Sequence, residues 1–313
     1  MGIKLSFSKI STYVECPRKF FLSYICNLGT GSSPHMSNGS AIHKCCEDFP
    51  SWPKETQTLE NLISYYYVVL PENDKDNLVH ESIDGEIIVN PLFEQKAIKA
   101  LQSFYDDYTE NNFQQVESGR YAYQGPNRDE PVPMIKLTEQ WFNFKTKDGH
   151  EIRGVIDRVD EEIGGEHIVD YKSGQSRTAY KALQDPLNMK SLQLSMYSLV
   201  RYKETGKIPI KTSFFYLEPD KKKKIQKGEY RTAPQRTEKE LEKVEQFLNN
   251  MGNEIEDALD KKDFPMGDAP QCFWCDFKDK CDILAESELT AMRNAMDIEK
   301  SKEVEIDLSD WDI

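Results

Sequence analysis

The hydrophobic pattern of the first third of the chain is typical of amphipathic helices. Aromatic and aliphatic residues recur three or four positions apart, and the polar residues fall between them. Helices are therefore predicted over residues 8–25, over residues 59–70 and over residues 91–108, and a further helix begins after Gly39-Ser40 and runs through His43 and Glu47. Ser8 is the predicted cap of the first helix, and Pro17 is expected to bend it.

The middle of the chain changes to the period of β-strands. Apolar residues alternate or run together over strand lengths, with turns at Lys147-Asp148-Gly149 and Gly164-Gly165. This pattern predicts a β-meander with strands over residues 135–145, 151–159 and 167–172. The pattern then predicts a helix over residues 189–205 that stops at Gly206 and a strand over residues 211–218. A last helix follows the capping box of Thr237 and Glu240. The order of elements predicts an α/β fold around one central sheet.

Charge is distributed unevenly along the 313 residues. The net charge is −14 and the pI is about 5.0, which argues against a polyanionic partner. Residues 171–231 nevertheless carry 14 basic and five acidic residues, whereas residues 45–95 carry 11 acidic and two basic ones. Because of this basic segment, the net negative charge does not exclude nucleic-acid binding.

Two classes of targeting segment are not found in the sequence. No run approaches the ~18 apolar residues of a membrane span, and the first residues lack the apolar stretch of a signal peptide. The sequence therefore predicts a cytoplasmic protein with no membrane partner.

The residues with the clearest chemical signature lie in two predicted strands joined by Gly164-Gly165. Asp170 and Lys172 are two positions apart, so their side chains share one face, and a hairpin brings Asp157 beside them. Two carboxylates and an ammonium suit phosphodiester hydrolysis. Mg²⁺ or Mn²⁺ takes carboxylate oxygens and lowers the pKa of a bound water, which the lysine orients or deprotonates. Taken alone, so short a motif is more often a surface hairpin with a salt bridge.

Six segments together resemble the PD-(D/E)XK nuclease superfamily, specifically its RecB-like exonucleases and the related CRISPR-associated nucleases. They are LSFSKISTYVECPRKFFLSYI, GSAIHKCCEDF, GVIDRVD, IVDYKSG, LQLSMYSL and CFWCDFKDKC. The resemblance implies a restriction-endonuclease-like α/β core in which helices flank a central mixed sheet. It also implies that Asp157, Asp170 and Lys172 are catalytic, and that His43, Asp157, Asp170 and the backbone carbonyl of Tyr171 bind the metal.

Four further polar residues are candidates for the surroundings of this catalytic set. Glu47 lies one helical turn after His43 on the same face, so it is a candidate to hold the imidazole in place. Gln193 and Tyr197 match a Q-x-x-x-Y motif of the family. From their side-chain chemistry, contact to DNA or to the catalytic lysine and simple helix packing explain them equally well. Glu139 matches an acidic position of such nucleases and is assigned no role.

The seven cysteines include a one-plus-three pattern. Cys16 stands alone before Pro17, and Cys272, Cys275 and Cys281 form C-x2-C-x5-C. In the iron–sulfur members of the family this arrangement holds a [4Fe–4S] cluster, so the resemblance implies a cluster that ties the N- and C-terminal helices. A structural Zn²⁺ is the alternative, although zinc sites more often use two paired knuckles. The other cysteines, Cys26, Cys45 and Cys46, are predicted to be buried and unligated.

The domain organisation follows from the same segments. Residues 1–285 are predicted to form one nuclease domain, with an acidic helical insertion at about 48–110 and cluster-binding ends at 16 and 272–281. The basic run Lys221, Lys222, Lys223 and Lys224 is either a solvated turn or a contact to the DNA backbone. Residues 286–313 are expected to be an acidic, flexible tail, with a docking peptide for a replication or recombination protein or a DNA mimic as alternatives.

The expected function is that of a metal-dependent DNA exonuclease acting on single strands or DNA ends in recombination, repair or replication-linked processing. The resemblance supplies the substrate and the exonuclease character, and the residues supply the metal-dependent chemistry. One alternative is a nuclease that trims DNA for CRISPR spacer acquisition. Another is a non-catalytic DNA-binding or assembly module, against which the intact set of His43, Asp157, Asp170 and Lys172 weighs. A virus or mobile element can encode such a chain as readily as a cell.

Overall fold

A computed structural model of the chain describes residues 2–28, 33–73, 78–81, 87–110, 114–115, 134–175, 178–218, 227–267, 272–278, 281–282, 284–288 and 290. They belong to two units, one comprising Ser32–Asn250 and the other Gly2–Gly31 with Met251–Ile313. The elements are β1 (Lys4–Leu5), α1 (Phe7–Glu15), α2 (Pro17–Phe20), α3 (Pro34–Asp48), α4 (Leu59–Asn73), β2 (Val79–Glu81), β3 (Ile87–Val89), α5 (Pro91–Glu110), β4 (Gln114–Gln115), β5 (Met134–Lys145), β6 (Glu151–Glu162), β7 (Gly165–Lys172), α6 (Tyr180–Gln184), α7 (Leu192–Thr205), β8 (Lys211–Tyr216), β9 (Glu229–Ala233) and α8 (Glu238–Lys261). Within the described ranges, every helix is too short or too polar to cross a membrane.

Six strands of the Ser32–Asn250 unit form a sheet in the order β4-β5-β6-β7-β8-β9. The pairs β5–β6, β6–β7 and β8–β9 are antiparallel, whereas β4–β5 and β7–β8 are parallel. The turn between β5 and β6 contains Gly149 at φ +92°, a conformation that favours glycine. The structure thus confirms the predicted α/β class with a mixed central sheet.

One face of this sheet packs against α3, α4 and α5. Aromatic and aliphatic side chains fill the space between them, including Tyr171 and Phe215 from the sheet and Tyr66 from α4. Cys45 and Cys46 of α3 are fully buried in this core, as the sequence predicts. The apolar stripes of the helices therefore supply the core directly beneath the end of β7.

Helix α3 begins earlier than its sequence pattern predicts. It starts at Pro34, and the side chain of the preceding Ser33 accepts a hydrogen bond from the Met36 N–H. The predicted start after Gly39-Ser40 is therefore wrong, because a serine cap followed by proline at the first helical position is the stronger signal. Gly39 lies inside the helix, where a Cβ atom would come 3.1 Å from Ser173 Oγ, so its lack of a side chain brings α3 close to the end of β7.

The later helix ends agree with the sequence. Helix α7 stops at Gly206, which has φ +72°. Before α8, the Thr237 N–H donates to Glu240 Oε2 at 2.8 Å and the Glu240 N–H donates to Thr237 Oγ1 at 3.3 Å. The predicted capping box is thus confirmed.

The N-terminal helices of the second unit differ from the prediction in two details. The cap of α1 is Ser6, whose side chain accepts from the Lys9 N–H, and Ser8 lies inside the helix. Pro17 ends α1 and begins α2 instead of bending one helix, because proline disfavours helical backbone at the residue before it, and Cys16 is extended. Cys26, predicted to be buried, is only half-buried.

Candidate active site

The centre of the site is the antiparallel pairing of β6 with β7. Arg158 pairs with Val169 in this antiparallel pair. Asp157, the residue before Arg158, and Asp170, the residue after Val169, are therefore neighbours on the opposite face. The Tyr171 N–H donates to Asp157 Oδ2 at 2.8 Å and fixes that carboxylate against β7. The convergence of the two aspartates expected from the hairpin is present in the structure.

Lys172, the last residue of β7, belongs to a hydrogen-bond network with residues of α7. Its Nζ lies 2.6 Å from Asp170 Oδ2 and donates to Gln193 Oε1 at 3.1 Å. Gln193 Nε2 donates to Asp170 Oδ1 at 2.8 Å, and the Tyr197 hydroxyl donates to the same oxygen at 3.1 Å. The Q-x-x-x-Y pair therefore orients both the aspartate and the lysine of the D-x-K motif.

Helix α3 adds an imidazole and a third carboxylate. His43 Nδ1 lies 3.5 Å from Asp157 Oδ2. One ligand atom each from His43, Glu47 and Asp157 lies within 4.8 Å of the others. The sequence places Glu47 as a support for His43, whereas the structure brings its carboxylate into the same cluster as the imidazole and Asp157.

The two carboxylates of this cluster repel each other and are also repelled by the acidic groups beside them. Burial, Asp157 and Glu139 together raise the pKa of Glu47 to about 7. Burial and the neighbouring Asp170 also raise the pKa of Asp157 well above its ordinary value. Glu139 sits in β5 at φ +50°, an uncommon conformation for a non-glycine residue. The cluster is thus a concentration of negative charge that a cation would stabilise.

The pKa values of the two basic side chains of the site, His43 and Lys172, are shifted in opposite directions. Burial lowers the pKa of His43, so the imidazole is neutral at neutral pH and has a lone pair for a metal. Burial also lowers the pKa of Lys172, but Asp170 outweighs that effect and the net shift is upward. Lys172 therefore stays charged, which suits stabilising negative charge better than accepting a proton.

This donor set fits a hard divalent cation. Two carboxylates and a neutral imidazole are ligands that Mg²⁺ and Mn²⁺ accept. Asp170 lies outside this close group, because its oxygens face Lys172, Gln193 and Tyr197. The roles of Asp170 and of the Tyr171 carbonyl as metal ligands remain predictions.

The second unit brings together the four cysteines of the one-plus-three pattern. A small cavity of about 90 Å³ is lined by Cys16, Cys272, Cys275 and Cys281, together with Glu15, Lys19, Leu22, Met266, Phe277, Lys278 and Asp282. A Cβ atom on Gly267 would come 2.4 Å from the Glu15 carbonyl oxygen, so only glycine allows the chain to pass this close to α1. Burial raises the pKa of the Cys281 thiol, and Cys16 and Cys275 lie near enough to add to the shift. Four thiols around one cavity are a donor set that fits a cluster or a zinc ion.

Many cations of the basic segment 171–231 already have acidic partners. Lys203 pairs with Glu245, Lys211 with Glu162, and Arg201 with Glu166 and Glu204. These pairs neutralise much of the positive charge that the sequence suggests for DNA. The run Lys221, Lys222, Lys223 and Lys224, and the acidic tail from residue 291, lie outside the described residues.

Another hydrogen-bonded series has the order of a hydrolase triad. His167 lies 2.8 Å from Glu162 and 2.7 Å from Ser213, which in turn contacts Thr232. Ser213 is completely buried in β8, so its hydroxyl is closed to any substrate. The series therefore ties β6, β7, β8 and β9 together and performs no hydrolysis.

Comparison with known proteins agrees with this geometry. No curated protein matches the chain. The sequence matches the PD-(D/E)XK nuclease superfamily over residues 4–282, a span that includes every described residue of the site. Membership of this family implies metal-dependent nuclease activity with DNA as the substrate class. The chain belongs to the PD-(D/E)XK nuclease superfamily.

Proposed function

We propose that this protein is a metal-dependent deoxyribonuclease that degrades single strands or DNA ends as an exonuclease, in recombination, repair or replication-linked processing. The observation that carries the proposal is the cluster of His43, Glu47 and Asp157 beside the Asp170–Lys172 pair. A scaffold protein has no need of three acidic groups whose mutual repulsion costs stability.

Each residue has a role that follows from its contacts. His43, Glu47 and Asp157 would hold Mg²⁺ or Mn²⁺, which supplies Lewis acidity and a bound water of lowered pKa when present. Lys172, charged and held by Gln193, orients the attacking water and offsets the negative charge that grows on the phosphate. Asp170 fixes Lys172, and the Tyr171 N–H keeps Asp157 in place.

A groove along α3 supports a single strand as the substrate. It has a volume of about 610 Å³ and is lined by His35, Met36, Gly39, Ser40, His43, Lys44, Glu47 and Ser173. This volume lies in the range of sites that hold one small molecule, so it suits one or two unpaired nucleotides better than a duplex. His43 and Glu47 lie in its wall, so a strand in the groove passes directly over the proposed metal ligands.

We also propose that the four cysteines hold a [4Fe–4S] cluster, with structural Zn²⁺ as the alternative. The common cavity and the one-plus-three distribution of the ligands support the cluster. Protein purified without oxygen should be brown and contain iron and sulfide, and Cys275→Ser should lose most of both. A colourless protein with stoichiometric zinc would contradict the cluster and leave the nuclease proposal intact.

The nuclease proposal is tested with end-labelled and circular DNA. Wild-type protein is incubated with linear single strands, linear duplexes and single-stranded circles in Mg²⁺, Mn²⁺ or EDTA. We expect mononucleotides or short products from linear single strands, intact circles, and no cleavage by Asp170→Asn or in EDTA. Glu245→Gln, which removes a carboxylate paired with Lys203 in the same unit, is the matched control and should retain activity. Cleavage that persists in EDTA and in Asp170→Asn would contradict the metal-dependent mechanism. Cleavage of the circles would rule out a strict exonuclease.

A further inference from the structure

The residue next to Asp157 lies on the other face of the sheet. Alternation along β6 places Asp157 toward the site and Arg158 toward the core that α5 covers. Arg158 is completely buried, which is rare for a guanidinium and requires partners for its donors. Those partners come from four different elements.

The guanidinium of Arg158 joins α5, β6, β7 and β9. Its Nε donates to Asp160 Oδ2 at 3.1 Å, and its Nη2 donates to the Tyr230 hydroxyl at 2.8 Å. Its Nη1 donates to the Tyr171 hydroxyl at 3.2 Å and lies 3.7 Å from Asp107 Oδ2. The Tyr230 hydroxyl donates to Asp107 at 2.8 Å and completes the network.

Tyr171 links this network to the metal ligands. Its hydroxyl accepts from Arg158, and the guanidinium also lies 5.6 Å from the centre of its ring. The backbone N–H of the same residue donates to Asp157, and its ring packs edge-on against the His43 imidazole with the ring centres 6.0 Å apart. Tyr171 thus contacts Arg158 and His43 with its side chain and Asp157 with its backbone.

We propose that Arg158 is a positioning residue, which acts through Tyr171 to hold His43 and Asp157 at the separation that a divalent cation requires. This inference rests on the metal site of the proposed function. A buried ion pair adds little net stability over a well-packed apolar replacement, but its directional hydrogen bonds fix geometry. Partners that orient metal ligands typically change metal affinity by about 10- to 100-fold when they are removed.

Mn²⁺ binding to the full-length protein separates positioning from simple stability. Isothermal titration with Mn²⁺ is compared with thermal unfolding for wild type, Arg158→Lys, Tyr171→Phe and the double variant. Arg158→Lys keeps the charge but loses the fork that reaches Tyr171 and Tyr230 together, so its Kd for Mn²⁺ should rise about tenfold. Tyr171→Phe removes only the linking hydroxyl and should raise the Kd at least threefold. The double variant should be no weaker than Arg158→Lys, because both changes break one link.

A matched control and defined outcomes keep the test decisive. Arg201→Met removes another buried guanidinium of the same unit, paired with Glu166, and should lower the Tm with a Kd for Mn²⁺ within twofold of wild type. The proposal is overturned if the Kd for Mn²⁺ of Arg158→Lys stays within threefold of wild type. Where that variant does not fold, the same limit applies to Tyr171→Phe. A wild type that binds no Mn²⁺ contradicts the proposed function as well, whereas an unchanged Kd beside normal wild-type binding contradicts the role of Arg158 alone.

Discussion

Raising the pH is expected to destabilise the metal-free protein, and Glu47 is a principal cause. Its pKa rises from 4.5 to about 7 on folding, because it is buried and lies near Asp157 and Glu139. A carboxyl whose pKa is raised in the folded state favours folding while it is protonated. Its contribution is therefore complete below about pH 4.5 and is lost as the pH rises through about 7.

The size of the effect follows from the pKa change. A shift from 4.5 to about 7 corresponds to ~3 kcal/mol at full strength. Glu47 is only half-buried, so screening by solvent reduces the expected loss to ~1–2 kcal/mol. The pKa of Asp157 is also raised, so its contribution has the same sign.

A cation at the cluster should reverse this trend, because it replaces the proton on Glu47. Displacement of the Glu47 proton should by itself raise the apparent affinity for Mn²⁺ up to tenfold per pH unit below about pH 7, and the raised pKa of Asp157 adds to this dependence. His43 adds little to this dependence, since its lowered pKa leaves no proton to displace near neutral pH. Chemical denaturation in EDTA and Mn²⁺ titrations at pH 5.5, 6.5 and 7.5 measure the two effects.

Glu47→Gln should flatten the pH dependence of the metal-free protein and weaken Mn²⁺ binding at every pH. Glu94→Gln is the matched control, since Glu94 accepts a hydrogen bond from Tyr67 and belongs to no metal cluster among the described residues. Metal-free stability that is constant from pH 5.5 to 7.5 would refute the electrostatic reasoning. If stability falls with pH but Mn²⁺ does not compete with protons, Glu47 is destabilised by its neighbours in the metal-free protein but does not bind the metal.

Three further predictions concern the lysine, the substrate charge and the last helix. Lys172→Met should lower the cleavage rate about 10²- to 10³-fold with the Kd for Mn²⁺ within threefold of wild type, and a rate loss below tenfold would contradict its role. Among the described residues, Lys44 lines the groove and Lys172 acts on His43 in its wall. In EDTA, log affinity for single-stranded DNA should therefore fall against log salt with a slope of about −1.4, the value for two phosphate contacts. A slope steeper than about −4 would require further cations, such as Lys221 to Lys224. Thr237→Ala should cost ~1 kcal/mol of unfolding free energy with unchanged cleavage, and an unchanged Tm would show that the capping box adds nothing.

Much of the fold could be predicted because its signals are local. The β-meander follows from alternation between glycine turns, and the capping box marks the start of α8. The pattern predicts the start of α3 after Gly39-Ser40, because glycine often marks a helix boundary, whereas Ser33 and Pro34 carry the actual start signal. Glycine inside a helix is tolerated where another chain segment passes close by, and only the structure places Ser173 there. Strand β9 has half-buried residues and no clear alternation, so its pattern did not predict it.

The site could be predicted as a set of residues but not as a geometry. Strand alternation alone places Asp170 and Lys172 together, and helical spacing places His43 and Glu47 on one face. Helical spacing does not say whether Glu47 hydrogen-bonds the imidazole or binds the metal beside it, because a side chain one turn after His43 can reach either one. The Arg158 network was invisible in the sequence, since its partners Asp107, Tyr171 and Tyr230 come from three other elements.

The two faces of the β6–β7 hairpin explain how an acidic protein can keep an acidic site in order. On one face, Asp157 and Asp170 are neighbours that repel each other. On the other face, Arg158 carries a positive charge that pairs with Asp160 and lies near Asp107. Because Tyr171 joins the two faces through its side chain and its backbone, the energy of the buried network opposes the movement by which the aspartates would relieve their repulsion. The repulsion is therefore relieved by a bound proton or a bound metal cation, which makes metal binding and the stability of this hairpin parts of one equilibrium.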